Sequence, residues 1–194
     1  MKEQIGKYIK RYADFNKSEL DKFYSKLQLQ QLGEKEFVIK EGQVCNYNYF
    51  IIKGLVRSFY IDKDGNEKIS FFALENWWFT SMESYAMQIP SLYSIQTIES
   101  TTVLKISKTD LDNLFESIPK FERLFRLIAQ NMLIAIQRKT DIYQQMKSKE
   151  RYEHFRNHFP DFFQRVPQYM IASYLEITPE YLSSLRKNTS EIIS

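Results

Sequence analysis

Few side chains in this sequence are spaced for chemistry. His154 and His158 stand four residues apart, a spacing that would bring both imidazoles onto one helix face and onto one metal ion. No third ligand follows nearby, so a solvent-facing pair accounts for them, and residues 1–153 hold no histidine. The single cysteine, Cys45, can neither close an intramolecular disulfide nor supply the thiolates of an iron–sulfur cluster or a structural zinc site. No Ser/His or Cys/His pair can be assembled before residue 154, and a metal-bearing β-barrel enzyme would need histidines there. The chain reads as a non-enzyme that carries no metal and no cofactor.

The more informative chemistry lies near the C-terminal end. Gln168–Leu175 turns Ile171, Ala172 and Leu175 to one face, and Pro179–Lys187 does the same with Leu182 and Leu185. Only Glu176-Ile177-Thr178 separates them. Thr178 is a good N-cap, Pro179 loses nothing at the first helical position, and Glu180 complements the helix dipole. Two amphipathic helices so joined have helix-turn-helix spacing, which would free the second to enter a major groove ~12 Å wide. Its outer face would offer Glu180 to a cytosine N4, Tyr181 and Ser184 to a base or phosphate, and Lys187 to phosphate. Gln168, Tyr169 and Thr178 complete that candidate surface. Taken alone, the same pattern fits a helical hairpin packed on a core equally well. Glu176 stands where such turns often carry Gly, so either it bears a positive φ at a cost of ~1 kcal/mol or the turn differs.

Preceding segments must position that pair. From Ile5 to Leu27 apolar residues recur at helical spacing, with Asn16 and Glu19 spaced as a capping box. Short runs rich in Val, Ile, Phe and Tyr follow as strands: Phe37–Lys40, Tyr47–Lys53, Leu55–Ile61, Lys68–Leu74, Tyr93–Thr97 and Thr102–Ile106. Gly42, Gly54 and Gly65 punctuate them, and Asp64-Gly65 signals a tight hairpin in which both residues take positive φ. Phe71-Phe72 and Trp77-Trp78-Phe79 read as barrel core and interdomain packing and not as a stacking cage. Pro119 then opens a helical stretch to about Met146. Within it Phe121, Phe125, Ile128, Met132, Ala135, Lys139, Ile142 and Met146 alternate by four and three, the spacing of a coiled-coil seam. The predicted dimer interface is Phe121, Phe125, Ile128, Met132, Ala135 and Ile142. Tyr152, Phe155 and Phe159 share a face of a further helix with Ser148 as N-cap, stopped by Pro160.

The resulting expectation is an α+β chain: an N-terminal antiparallel β-roll domain over 1–118, a dimerisation helix over 119–147 and a helix-turn-helix domain over 148–194. With 194 residues, 27 Lys+Arg and 24 Asp+Glu, the chain is long enough for a substantial core and too weakly basic for charge alone to name a partner. No stretch approaches the ~20 apolar residues of a membrane span, the N-terminus has no apolar signal region, and one cysteine suits a reducing compartment. The cytoplasm is expected.

Phe37-Val-Ile-Lys-Glu-Gly42, Tyr49-Phe-Ile-Ile-Lys-Gly-Leu-Val-Arg57, Arg165-Val-Pro-Gln168, Ile171-Ala-Ser-Tyr-Leu175 and Ile177-Thr-Pro-Glu180 occur in an order that resembles the Crp/Fnr family of bacterial transcription regulators, particularly short-tailed members common in the Bacteroidetes. The resemblance implies a double-stranded β-helix of the cyclic-nucleotide-binding kind and a homodimer binding double-stranded DNA through two recognition helices ~34 Å apart. It also implies a small-molecule effector, whose identity and pocket the sequence leaves open. Members that bind cyclic AMP carry a Gly-Glu pair and, some ten residues on, Arg-Ser or Arg-Thr. Here Phe79-Thr-Ser-Met-Glu-Ser84 and Ile89-Pro-Ser-Leu-Tyr93 hold neither Gly nor Arg. Cyclic AMP binding in that mode is therefore not expected. Ser184 stands where relatives often present Arg, and seven residues after Lys187 are too few for a β-wing. The competing reading is a ligand-sensing or protein-interaction module whose helical pair no longer binds DNA.

Overall fold

Asn16 and Glu19 do form the expected capping box: Asn16 Oδ1 accepts from Glu19 N at 2.9 Å, and Glu19 Oε2 accepts from Asn16 N at 2.8 Å. They open α2 (Lys17–Lys26), which follows α1 (Lys2–Ile9). The computed structural model describes residues 1–190, so the expected lack of a wing beyond Lys187 lies partly outside the described residues. After α2 come β1 (Gln28–Leu32), β2 (Phe37–Ile39), β3 (Tyr47–Lys53), β4 (Val56–Ile61), β5 (Glu67–Ala73), β6 (Trp78–Phe79), α3 (Met82–Met87), β7 (Ser94–Thr97) and β8 (Thr101–Ser107). Helices complete the chain: α4 (Lys108–Ser117), α5 (Pro119–Gln145), α6 (Ser148–His158), α7 (Phe162–Arg165), α8 (Gln168–Leu175) and α9 (Pro179–Ser190).

The strands form two four-stranded sheets, ordered β1-β8-β3-β6 and β2-β7-β4-β5. Every register resolved is antiparallel, with Phe50 opposite Leu104 between β3 and β8, and Arg57 opposite Gln96 between β4 and β7. Phe50, Ile51, Leu55, Val56, Ile95, Val103 and Ile106 are fully buried, which makes them the core of the roll. Gly54 takes φ +110° at the turn between β3 and β4, and a Cβ there would stand 2.7 Å from Thr101 Cα, so only Gly fits.

The chain divides into two compact units: Met1–Tyr60 with Phe71–Asn131, and the hairpin segment Ile61–Ser70 with Met132 onward. The division falls inside α5 and not at its ends. In the first unit Ile5, Ile9 and Phe23 are fully buried, and Phe121 stacks on Phe15 and Phe23 with ring centroids 4.3 and 4.9 Å apart. In the second, Phe155 packs against Phe159, Phe162, Phe163 and Tyr174, an aromatic centre for α6 to α8.

Several local expectations change. The hairpin between β4 and β5 has only Gly65 at positive φ, +82°; Asp64 does not take one, and Asp62 pairs with Asn66 around a three-residue loop. Asp62 Oδ1 accepts from both Asp64 N and Asn66 N. Lys147, not Ser148, caps α6, its backbone N–H held by Glu150 Oε2 at 2.7 Å.

Candidate effector site and nucleic-acid interface

Within the first unit, the stretch joining β6 to β7 is rich in buried hydroxyls. Thr80, Ser81, Ser84, Ser91 and Ser94 are all less than a tenth exposed. Each spends its hydrogen bonds on nearby protein atoms. Thr80 Oγ1 donates to Tyr47 O at 2.9 Å, Ser84 Oγ donates to Ile89 O and accepts from Cys45 N, and Ser91 Oγ pairs with Ser81 Oγ at 2.8 Å and donates to Tyr93 O. Ser94 Oγ accepts from Glu41 N at 3.0 Å. Backbone carbonyls are the usual sinks for buried hydroxyls, and these bonds stitch the segment to β3 and to the loop before it. Cys45 belongs to the same knot, its Sγ 3.2 Å from Thr80 Oγ1.

The roll's buried guanidinium lies elsewhere. Arg57, only 5% exposed, donates from Nη2 and Nε to Gln96 Oε1 at 2.8 and 3.2 Å, and its Cζ rests 4.1 Å from the centre of the Phe59 ring. Gln96 Nε2 passes the chain of bonds on to Lys35 O. This assembly escaped sequence reading; its signal was an Arg inside the apolar run Leu55–Ile61. Ser58 Oγ, on the same strand, is fully buried and has no hydrogen-bond partner among the described residues.

In the second unit, α8 and α9 meet through the three-residue turn the sequence predicts. Glu176 does bear the positive φ, +55°, and two bonds close the turn: Glu176 N to Ser173 O at 3.1 Å and Ile177 N to Ala172 O at 3.0 Å. The second, spanning five residues, is the Schellman closure that a left-handed residue permits. Thr178 Oγ1 accepts from Tyr181 N at 3.2 Å, which caps α9. Ile171, Ala172, Leu175, Leu182 and Leu185 are buried, and Ile177 is half-buried. Among the expected surface residues, Gln168, Thr178, Glu180, Ser184 and Lys187 are exposed, as are Tyr169 and Tyr181. Ser184 Oγ donates to Tyr181 O, within its own helix.

The helix α5 turns part of the predicted seam inward. Phe121 and Ile128 are buried inside the first unit, and Phe125 packs edge-on against Trp78 with ring centroids 5.0 Å apart. Phe125 meets the roll at β6 and Phe121 meets the N-terminal helical segment, because a helix laid on a compact unit spends its widest apolar stripe there. Met132 and Ile142 are half-buried and Ala135 is exposed. The large exposed apolar residues are instead Leu133, Ile134 and Ile136, at 56%, 36% and 61%. Lys139, the charged member of the seam, sits between aromatic rings, its Nζ 4.0 Å from the Tyr174 centroid and 5.1 Å from that of Tyr143. Nζ donates to Ser70 O at 3.1 Å, and Tyr143 Oη donates to Tyr174 O. Burial pushes the Lys139 ammonium down to about 8 and the Tyr174 phenol up to about 12.

His154 and His158 stack with ring centroids 4.0 Å apart, and burial, helped by the second imidazole, lowers the pKa of His154. Among the described residues no group of three or more His, Cys, Asp or Glu is placed to hold a metal ion, and no helix is long and apolar enough to cross a membrane.

Antiparallel strands of this order, a short helix before β7 and a long helix after β8 recur in known proteins. Residues 29–118 match the cyclic nucleotide-binding domain family. That domain-type stretch covers β1 through α4 and therefore contains both the hydroxyl knot and Arg57. No curated protein matches the sequence. Among solved structures, FixK2 from Bradyrhizobium japonicum is similar over 85% of each chain, at 17% identity and a TM-score of 0.73. CLP from Xanthomonas campestris, a c-di-GMP responsive global regulator, matches over 91% of this chain and 92% of its own, at 14% identity and 0.71. The catabolite activator protein of Thermus thermophilus matches over 93% and 86%, at 15% identity and 0.58. The likeness of fold covers more of the chain than residues 29–118.

Proposed function

We propose that the chain is a homodimeric, DNA-binding transcription regulator of the Crp/Fnr type whose effector domain does not take cyclic AMP in the usual mode. One observation carries the reading: α8 and α9 close through a left-handed Glu176 and a Schellman turn while leaving Glu180, Tyr181, Ser184 and Lys187 on an open face, downstream of a cyclic nucleotide-binding domain and a 27-residue helix. That face has the shape and chemistry of a major-groove reader. Gln168, Tyr169 and Thr178 flank it as phosphate or base contacts.

The homodimer forms along α5, through the exposed residues of its second half. Ala129, Leu133, Ile136 and Thr140 are exposed and spaced by four, three and four, so they take the seam one residue on from the heptad first read. Burying Leu133 and Ile136 would contribute ~1.5–3 kcal/mol for each side chain. In the roll, hydroxyls bonded to backbone and an Arg bonded to Gln96 support the absence of a cyclic phosphate cradle, because that cradle needs uncommitted donors.

Selection of bound fragments from genomic DNA, run with and without cell extract, tests the reading. Enrichment of a pseudo-palindrome supports it, and recovery of no sequence in either arm contradicts it. The second reading, an interaction module, draws on the few cations near the proposed reading face: Lys147–Ser194 carries seven basic against six acidic residues. It predicts partners bound through the roll and no DNA.

A further inference from the structure

The hairpin segment Ile61–Ser70 belongs to the same compact unit as α8 and α9. Its strand β5 lies at the edge of its sheet, where backbone N–H and C=O groups point outward with no strand to receive them. Ser173, on α8, supplies what a neighbouring strand would. Its Oγ accepts from Ile69 N at 3.1 Å and donates to Glu67 O at 3.0 Å. Residues 67 and 69 present these groups on the same side of a strand, and a hydroxyl is the smallest side chain that can satisfy one donor and one acceptor together. Lys139 adds a bond from α5, Nζ to Ser70 O. Tyr143, one turn along α5, donates to Tyr174 O, the residue beside Ser173. Three elements far apart in the chain, the hairpin, α5 and α8, are therefore fastened together at neighbouring residues.

We propose that Ser173 and Lys139 are positioning residues that fasten α8 to the β5 edge, so that the hairpin fixes where the α8–α9 pair stands. Ser173 acts as a surrogate strand partner, and Lys139, held between Tyr143 and Tyr174, ties the same strand to α5. Ser173 thus couples α8 to the first residues of β5, inside one compact unit. The consequence for operator recognition rests on the DNA-binding reading above. The fastening itself does not.

The test places spin labels at Lys63→Cys on the hairpin tip and Ser184→Cys on α9 and reads their distance distribution without DNA. The parent pair is expected to give one narrow peak. Adding Ser173→Ala is expected to broaden it at least twofold and to raise the exchange rate of the Ile69 amide at least tenfold, while Ser173→Thr, which keeps the hydroxyl, restores both. A width unchanged by Ser173→Ala, or a Thr variant as broad as the Ala variant, overturns the proposal. Should Ser173→Ala fail to fold, Lys139→Met, which keeps a long apolar stem between the two rings and removes the donor, is read by the same width with the same two outcomes. A parent chain that binds no DNA in a separate titration sinks the DNA-binding reading and leaves the distance measurement to decide this one.

Discussion

Arg57 and Gln96 face each other across β4 and β7, and two guanidinium nitrogens of Arg57 share a single acceptor, Gln96 Oε1, at 2.8 and 3.2 Å. Hydrogen bonds from a buried guanidinium are worth more than neutral ones, and their loss is felt in full. Arg57→Met is expected to lower the unfolding free energy by about 2–3 kcal/mol in denaturant titrations. Arg57→Lys recovers at most part of it, because an ammonium lacks the planar fork and the stacking on Phe59. A silent Arg57→Met would show the pair to be structurally idle.

On the proposed reading, an Arg committed to Gln96 and hydroxyls committed to Tyr47, Ile89 and Tyr93 carbonyls do not serve as a cradle for a cyclic phosphate. Calorimetric titration with cyclic AMP is expected to give no binding heat up to millimolar ligand. Micromolar affinity would overturn the account of the roll.

The oligomeric state separates the two stripes of α5. Leu133→Asp with Ile136→Asp is expected to leave a folded monomer by sedimentation, since both side chains are exposed in the chain itself. Ile128→Asp is expected to destabilise the protein by 3 kcal/mol or more and not merely to split a dimer, because it buries an unpaired charge at a 5% exposed site. A folded double mutant that sediments as a dimer rules out the Leu133–Ile136 seam.

The sequence made the C-terminal helical pair legible almost to the residue, because a turn of three residues bounded by Thr178 and Pro179 leaves few alternatives. The capping box at Asn16 and Glu19 was equally plain. The strand Gln28–Leu32 was not, since Gln-Leu-Gln-Gln-Leu has low β-propensity and is held by pairing with β8. Nor was α4, which Ser107 caps by accepting from Asp110 N within a polar stretch of little periodicity. The inward turn of Phe121, Phe125 and Ile128 was hidden for a different reason: apolar residues stand on more than one face of α5, and periodicity alone cannot say which face packs inside the first unit. The contacts of Arg57, Lys139 and Ser173 were not legible because their partners are backbone atoms, rings or an amide far away in the chain.

Stability depends on pH through Lys139 and Tyr174. The Lys139 ammonium titrates at about 8 in the folded chain and near 10.5 when unfolded, so between those values the unfolded state holds the extra proton and stability rises with pH. Burial acts oppositely on the phenols of Tyr143 and Tyr174, whose raised pKa values make the unfolded chain lose protons first above about pH 10. A stability maximum between pH 8 and 10 is expected, with a gain of roughly 1–2 kcal/mol from pH 7.5 to 9.5 that Lys139→Met removes. Denaturant midpoints across that range measure it, and a profile identical in the Met variant contradicts it.

Salt dependence of DNA binding bears most directly on the central claim. A fluorescent duplex carrying the selected site, titrated by anisotropy at several salt concentrations, is expected to give an affinity that falls linearly on a double-logarithmic plot, with Lys187→Ala weakening every sequence alike and reducing the slope by about one. An affinity that salt leaves unchanged, or the absence of binding at low salt, would contradict a DNA-reading role for α9.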